Sequence, residues 1–239
     1  MMNRALLPIL LRGRRDLAST LLGYEPSLLF MQDEVSGVVS VEAVNGYNGA
    51  YTGVDLNQSK SPFSCPYFDG VNDLNDIYTA GLVAAFDAAK GSMLVVAQDE
   101  DWSDSTIRDI LRVAADNSNQ VQVRKSAANT VTWAYKGGGS NKFVNNNGMD
   151  SYPGWAMYAL TWDTVADELK AYLNDGQTGS TQSSLPTWVG ALDANNCGIG
   201  NFGAAATTPW QGWIGPAMLW FGTVLSLSDI QSIYEDLLG

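Results

Sequence analysis

The order of apolar and polar positions from Tyr24 onward predicts a chain built of short strands. Apolar runs alternate with stretches of Gly, Asn, Asp and Ser, which is typical of antiparallel β-structure. Residues 93–98 are almost continuously apolar, so they predict a central strand covered on both faces. In residues 120–125, valines alternate with Gln122 and Arg124, so this strand is predicted to have one dry face and one wet face.

Other segments extend this pattern. Residues 107–115, 120–125 and 130–135 predict a meander, whose first turn is Asp116-Asn-Ser-Asn119. The Gly- and Asn-rich residues 137–148 predict a flexible loop. Ser228 is predicted to cap a terminal helix over residues 229–238, with one apolar face.

Residues 1–24 differ from the rest, because they are rich in Leu and Arg and poor in Gly and aromatic residues. Asp16 is expected to cap a short helix over residues 17–22. We interpret residues 1–24 as an arm ahead of a domain at 25–239. The arm either docks on a partner or packs back on its own domain, and both alternatives stay open. The docking interpretation assigns the contact to Leu6, Leu7, Leu10, Leu11, Arg12, Arg14 and Arg15.

The composition of the chain argues against several functions. A net charge of −12 argues against a nucleic-acid partner, because phosphate backbones would be repelled. The chain has no histidine, which removes Ser-His-Asp and Cys-His catalysis. Cys65 and Cys197 are expected to be separate buried thiols, although the sequence leaves pairing open. The N-terminal apolar run is too short to span a membrane and lacks the pattern of a secretory signal, so we expect cytoplasmic synthesis.

A series of motifs runs along residues 25–239. In chain order they are Leu28-Leu-Phe-Met-Gln-Asp-Glu-Val-Ser-Gly37, Ala43-Val-Asn-Gly-Tyr-Asn-Gly49, Phe68-Asp-Gly-Val-Asn-Asp73, Trp155-Ala-Met-Tyr-Ala-Leu-Thr-Trp-Asp163, Lys170-Ala-Tyr-Leu-Asn-Asp-Gly176 and Trp210-Gln-Gly-Trp-Ile214. This order resembles the laminin G-like, concanavalin A-like domains of bacteria and phages. The resemblance implies an all-β fold: a two-sheet antiparallel jelly-roll sandwich with a short C-terminal helix on one edge, preceded by an extended or helical arm.

The resemblance also frames the question of catalysis. Glycanases on this fold carry an E-x-D-x-x-E or E-x-D-x-E strand that places two carboxylates on one face. The nearest cluster in this sequence is Asp99-Glu-Asp101, which no further glutamate follows closely and which is typical of a solvated loop. We therefore predict that the protein is not an enzyme.

Two candidate sites follow from residue type. Exposed aromatic rings stack on sugars, and the glycan-binding candidates are Trp102, Trp133, Tyr135, Trp188 and Trp210. The competing interpretation is that these rings belong to the core. The oxygen-rich stretch Asp69, Asn72, Asp73 and Asp76 is a candidate calcium site. The alternative, that these carboxylates bond to backbone in tight turns, is favoured because the spacing matches no defined calcium loop. No other cofactor is predicted.

The function predicted from these features is a non-enzymatic virion protein of a phage: capsid-decorating, head-fibre or tail-associated. It would be anchored through the arm to capsid or tail proteins, would not contact nucleic acid or membrane, and could bind host-surface glycans. A homo-oligomer, for instance a trimer, fits this setting. The alternative is a carbohydrate-binding adhesion module of a cell-surface protein, and a diverged glycanase is the third hypothesis.

Overall fold

The structure, a computed structural model, describes residues 14–202 and 207–239, with side chains from Leu17 onward. The helices in this part are α1 (Arg14–Leu22), α2 (Ala80–Ala85), α3 (Leu227–Leu238) and a 3-10 turn at Met149–Ser151. The strands, in chain order, are β1 (Leu28–Phe30), β2 (Val39–Ser40), β3 (Gly49–Thr52), β4 (Asp55–Lys60), β5 (Phe63–Asp69), β6 (Leu74–Asp76), β7 (Lys90–Asp99), β8 (Arg108–Asp116), β9 (Asn119–Ala127), β10 (Thr130–Gly137), β11 (Ser140–Asn146), β12 (Ala156–Asp163), β13 (Glu168–Leu173), β14 (Gly176–Gln182), β15 (Gly198–Ile199) and β16 (Gln211–Phe221).

These strands form two antiparallel sheets. The first sheet has the order β14-β13-β12-β7-β16-β5-β4, and β1 pairs with the end of β16. The second has the order β11-β10-β9-β8-β15-β6-β3-β2. A two-sheet antiparallel sandwich with a C-terminal helix is the predicted fold class, which is confirmed.

Strand β7 shows how the first sheet is covered on both faces. It lies between β12 and β16 and is antiparallel to both. Met93 and Val95 point into the hydrophobic core between the sheets. Leu94 and Val96 point into a second cluster on the outer face of the first sheet. All four side chains are fully buried, as the continuous apolar run predicts.

Helices α1 and α3 cover that outer face. Leu21 of α1 is buried in the outer cluster together with Ile230, Ile233 and Leu237 of α3. The amphipathic spacing of α3 explains the packing, because these three residues share one helix face. The structure therefore places the terminal helix on the outer face of the first sheet, which corrects its expected position at the sheet edge. Its N-cap is Ser226, two residues before the predicted Ser228.

The described part of the arm belongs to this packing. The Tyr24 hydroxyl donates to Asp236 at 2.7 Å, and the Trp220 indole N–H donates to the Tyr24 carbonyl at 2.8 Å. Leu17 is partly buried against the outer cluster and Leu21 wholly so. Residues 17–24 thus pack on their own domain, in line with the second alternative for the arm. Of the predicted docking residues, Leu6, Leu7, Leu10, Leu11 and Arg12 lie outside the described residues, and Arg14 and Arg15 are described only as the start of α1.

The second sheet contains the predicted meander β8-β9-β10, joined by the predicted turn, in which Asp116 accepts the Ser118 N–H at 2.7 Å. Residues 140–146 continue it as β11, which corrects the expectation of a flexible loop over 137–148. The two thiols are free and buried on different faces of the first sheet, Cys65 in the outer cluster and Cys197 in the core between the sheets. The prediction of separate buried thiols is confirmed. Among the described residues, no helix combines the length and apolar character needed to cross a bilayer.

Candidate functional site

The outer face of the second sheet carries a groove of about 220 Å³ across strands β9, β10 and β11. Alternation along β9 turns its valines into the core and the residues between them outward. Strand register then aligns the outward side chains in three rows across the sheet. These rows are Arg124–Thr132–Asn145, Gln122–Ala134–Phe143 and Gln120–Lys136–Asn141.

The middle row shapes the groove. Ala134 has a small side chain and lies between Gln122 and Phe143, so the centre of the face is a depression with an aromatic wall. Phe143 is 47% exposed, so its ring presents an aromatic surface to solvent. Solvent-facing aromatic rings next to amides are typical of sites that bind amphipathic ligands.

Gln122 also lines this depression, and its side-chain amide is unpaired. Its side chain is fully buried, and neither its amide nitrogen nor its amide oxygen has a hydrogen-bond partner among the described residues. An unpaired buried amide costs about 1–3 kcal/mol. By contrast, the Thr132 hydroxyl lies 2.7 Å from both the Ser126 hydroxyl and Asn145 Oδ1, so it is satisfied within the protein.

Cations surround the groove in a protein that is strongly acidic overall. The Arg124 side chain makes no hydrogen bond or ion pair within the described chain, and its Nε is buried and unpaired. Within residues 14–202 and 207–239, the Lys136 ammonium makes only a long contact, 3.4 Å, to the Asn117 carbonyl. Burial lowers the pKa of Lys136, and repulsion from Arg124 and Arg112 lowers it further. Arg124 and Lys136 are thus two cations without a neutralising carboxylate at hydrogen-bonding distance.

The adjoining strand β8 contributes two polar residues, Arg112 and Asp109, that have partners elsewhere in the protein. Arg112 is buried over the Phe202 ring at 3.7 Å and donates to Asn117 at 2.9 Å. Asp109 is buried next to Arg124 in the register and accepts the Thr208 hydroxyl at 2.7 Å. Burial raises the pKa of Asp109, against the hydrogen bond from Thr208 and the attraction of both arginines. These two residues are held by the fold, whereas Arg124 and Lys136 remain open to a ligand.

Two other grooves are less suited to a ligand. A groove of about 370 Å³ lies between β13 and the start of α3, but its Lys170 is already paired with Glu168 at 2.6 Å. A groove of about 310 Å³ at one end of the sandwich includes Trp188 and Tyr135 in its lining, with ring centroids 6.3 Å apart. Both of these rings bond to nearby carbonyl groups, Tyr135 to Ala88 and Trp188 to Gly190.

The aromatic candidates chosen from the sequence do not form an exposed platform. Trp133, Tyr135 and Trp210 are completely buried, and Trp102 is 7% exposed and packs edge-on against Trp210. Trp188 is half-buried. For the first four, the structure agrees with the competing interpretation, that these rings belong to the core. Trp133 and Tyr135 are buried because they share the inward face of β10 with Val131.

The calcium candidates serve backbone groups. Asp73 accepts the N–H of Asp69 at 2.7 Å, and Asp69 accepts the N–H of Val71 at 2.8 Å. Asp76 accepts the N–H of Tyr78 at 2.8 Å, while Asn72 is exposed. No group of three or more acidic or thiol side chains in the described ranges is placed to hold a metal ion. The geometry fits the turn-forming alternative, and calcium binding stays a prediction.

The acidic cluster at the end of β7 is part of a structural network. Asp99 lies 3.9 Å from the buried ammonium of Lys125. Burial raises the pKa of Asp99 to about 6, although Lys125 counteracts this shift. Glu100 accepts hydrogen bonds from Tyr67 at 2.7 Å and Gln211 at 3.0 Å. These carboxylates are engaged with neighbouring side chains and lie outside the groove.

Comparison with known proteins places the fold among solved sandwich structures. No protein-family model matches the chain, and no curated protein matches it. The structure of botulinum neurotoxin type C, described as depending on two ganglioside molecules for entering cells, is 16% identical with a TM-score of 0.65, and the match covers 89% of this chain and 52% of that one. The CBM40 of the Ruminococcus gnavus IT-sialidase, bound to α2,6 sialyllactose, is 14% identical with a TM-score of 0.56, covering 70% of this chain and 95% of that one.

A third match is the Trypanosoma rangeli sialidase in complex with the inhibitor DANA, at 12% identity and a TM-score of 0.62. It covers 89% of this chain but 33% of the sialidase. The chain thus spans about half the length of the botulinum chain and a third of the sialidase. At these identities the matches define the class of fold, a two-sheet jelly-roll-like β-sandwich, and leave the function to the site.

Proposed function

We propose that this domain is a glycan-binding module whose ligand lies in the groove on the outer face of the second sheet. The observation that carries the proposal is the exposed Phe143 ring, which lies between Arg124 and Asn145 on one side of the groove and Lys136 and Asn141 on the other. A sugar ring offers one apolar face and several hydroxyl groups, so it matches an aromatic wall flanked by polar side chains that reach solvent.

The similar structures support the same class of ligand. The R. gnavus CBM40 is a carbohydrate-binding module bound to sialyllactose, and the botulinum type C structure is associated with gangliosides. Binding is favoured over hydrolysis, because none of the described residues lining the groove is Asp or Glu. Glycoside hydrolysis in most families needs two carboxyl groups flanking the bond that breaks.

A second part of the proposal concerns the larger assembly in which the module acts. A phage virion component and a cell-surface adhesion module both use glycan binding, so the groove serves either one. The virion proposal rests on the sequence pattern of the arm, residues 1–24, whose predicted docking residues run from Leu6 to Arg15. Because residues 17–24 pack on the domain, its test is deletion of residues 1–15 alone, followed by an assay of attachment to capsid or tail proteins.

The test of glycan binding compares two variants with matched exposure. Phe143→Ala removes a side chain that is 47% exposed in the groove, and Leu227→Ala removes one that is 45% exposed at the start of α3, on the opposite side of the molecule. We expect hits for the wild-type protein on a glycan array. Isothermal titration with a hit should then show roughly tenfold or greater loss for Phe143→Ala and none for Leu227→Ala. An array without hits, or equal binding by both variants, contradicts the proposal.

A further inference from the structure

The two unpaired cations of the groove specify its ligand more closely. We infer that the groove selects saccharides bearing a carboxylate, with the acidic group bound at Arg124. This inference rests on the proposed function and adds the ligand class. The observation behind it is the absence of an ion pair for Arg124 and Lys136 in the described chain, although acidic residues outnumber basic ones 25 to 13 in the sequence.

The surroundings of Arg124 favour a ligand anion over an internal partner. Asp109 is the acidic residue beside it in the register, but that buried carboxyl accepts the Thr208 hydroxyl through Oδ2, and its Oδ1 makes no hydrogen bond to Arg124 or to any other described residue. The guanidinium of Arg124 therefore keeps donors without acceptors. A guanidinium presents parallel N–H groups that match the two oxygens of a carboxylate, which an uncharged sugar hydroxyl cannot replace.

Lys136 marks the other end of the same groove. It lies on β10 four positions beyond Thr132, the register partner of Arg124, so the two Cα atoms are separated by about 13 Å along the strands. Phe143 and Gln122 lie between these ends. This order fits an oligosaccharide that places its carboxylate at Arg124, a sugar ring on Phe143 and further polar groups towards Lys136.

Several other cations of the described chain already have partners. Arg108 and Lys125 are paired with Asp104 at 2.6 Å each, and Lys170 is paired with Glu168. Lys60 lies over the Trp213 ring at 4.0 Å. These side chains have partners within the fold, whereas the two groove cations have none of comparable strength.

The experiment separates charge from shape by using ligands that differ only at the carboxyl group. Trigalacturonic acid and 6′-sialyllactose are each titrated against their methyl esters, at low and high salt, with the full chain. At least one of the two acids is expected to bind, at least tenfold more tightly than its ester. This difference in affinity should shrink at high salt, because salt screens the ionic contact. The acid that binds identifies the source of the carboxylate, a uronic or a sialic acid.

Variants then assign the contact to Arg124. Arg124→Gln should lower affinity for the acid about 10- to 100-fold, the range for a hydrogen bond to a charged group, and leave the ester within twofold. Lys90→Gln, which removes one positive charge from an exposed lysine at the start of β7, is the matched control and should change neither. Arg124→Lys should restore part of the affinity.

The outcomes also separate this inference from the proposed function. If the esters or neutral array glycans bind as tightly as the acids, or if sulfated glycans alone bind, the carboxylate assignment is wrong while glycan binding stands. If Arg124→Gln weakens acid and ester equally, Arg124 shapes the groove and does not read the charge. If no glycan of any kind binds, the proposed function itself fails.

Discussion

Replacement of Lys125 by methionine tests the electrostatic reasoning most directly. Lys125 lies near the C-terminal end of β9 and is completely buried. Its ammonium is 2.6 Å from Asp104, 2.7 Å from the Asp101 carbonyl and 3.9 Å from Asp99. Asp104 has a second partner in Arg108, but Asp99 has no other cation within ion-pair distance in the described chain. Lys125→Met therefore leaves mainly Asp99 as an uncompensated buried charge.

The magnitude follows from burial. Breaking a buried ion pair by removing one partner costs about 3–5 kcal/mol of the free energy of unfolding. The carboxyl of Asp99 has its pKa raised from 3.8 to about 6 by burial. Its protonated form is thus favoured by folding, so its ionisation lowers stability as the pH rises from about 4 through 6, by roughly 3 kcal/mol in total. Without Lys125 the pKa of Asp99 rises further. At pH 5 this carboxyl is therefore protonated in the variant, so no uncompensated charge remains on it and part of the lost stability is regained.

The assay is urea unfolding monitored by tryptophan fluorescence at pH 5 and pH 8. Lys125→Met should lose about 3–5 kcal/mol at pH 8 and less than half of that at pH 5. Adding Asp99→Asn should recover most of the loss at pH 8, and Asp99→Asn alone should be more stable than the wild type at pH 8 but not at pH 4. Lys90→Met, at an exposed lysine, is the control. Equal losses at both pH values, or no recovery in the double variant, would refute the reasoning.

Other predictions concern packing, capping and the thiols. Gly91→Ala should cost roughly 1–3 kcal/mol, because a Cβ at Gly91 would lie 2.5 Å from an indole carbon, while Gly154→Ala, with open space around it, should cost far less in the same urea assay. Ser226→Ala should lose about 1 kcal/mol by removing the N-cap of α3, and Ser228→Ala should lose less. Burial raises the pKa of both thiols to about 12, so neither should react with a disulfide reagent at pH 8 until urea unfolds the protein; rapid reaction of the native protein would contradict their burial.

The strands that could be predicted from the sequence are those with a hydrophobic signature. Strand β7 is continuously apolar because both of its faces pack into hydrophobic clusters, and β9 alternates because only one of its faces packs into the core between the sheets. The polar strands β4, β11 and β14 escaped prediction. All three lie at sheet edges, where a strand is held by backbone hydrogen bonds to a single neighbour and its side chains bury little apolar surface. Their sequences consequently resemble loops.

The same limit explains which site residues could be predicted. Alternation in β9 assigned Gln122 and Arg124 correctly to the face opposite the core valines, but the prediction that this face is wet is wrong for Gln122, which is fully buried, whereas Arg124 is partly exposed. Phe143 could not be placed beside them, because its strand had been interpreted as a loop, and a groove needs the register of three strands. The tryptophans were misleading for a different reason. A large ring fits a sugar and a sandwich core equally well, so residue type alone does not decide its exposure.

The two outer faces of the sandwich differ, so the domain has a closed side and a binding side. Helices α1 and α3 cover the outer face of the first sheet, and the outer face of the second sheet carries the open groove. Copies tethered to a surface through Gly239 would therefore all turn their grooves outward, away from the support. On such a layer, contacts that are weak one at a time would add up across neighbouring copies, so a multivalent glycan surface would be held far more firmly than a single soluble sugar.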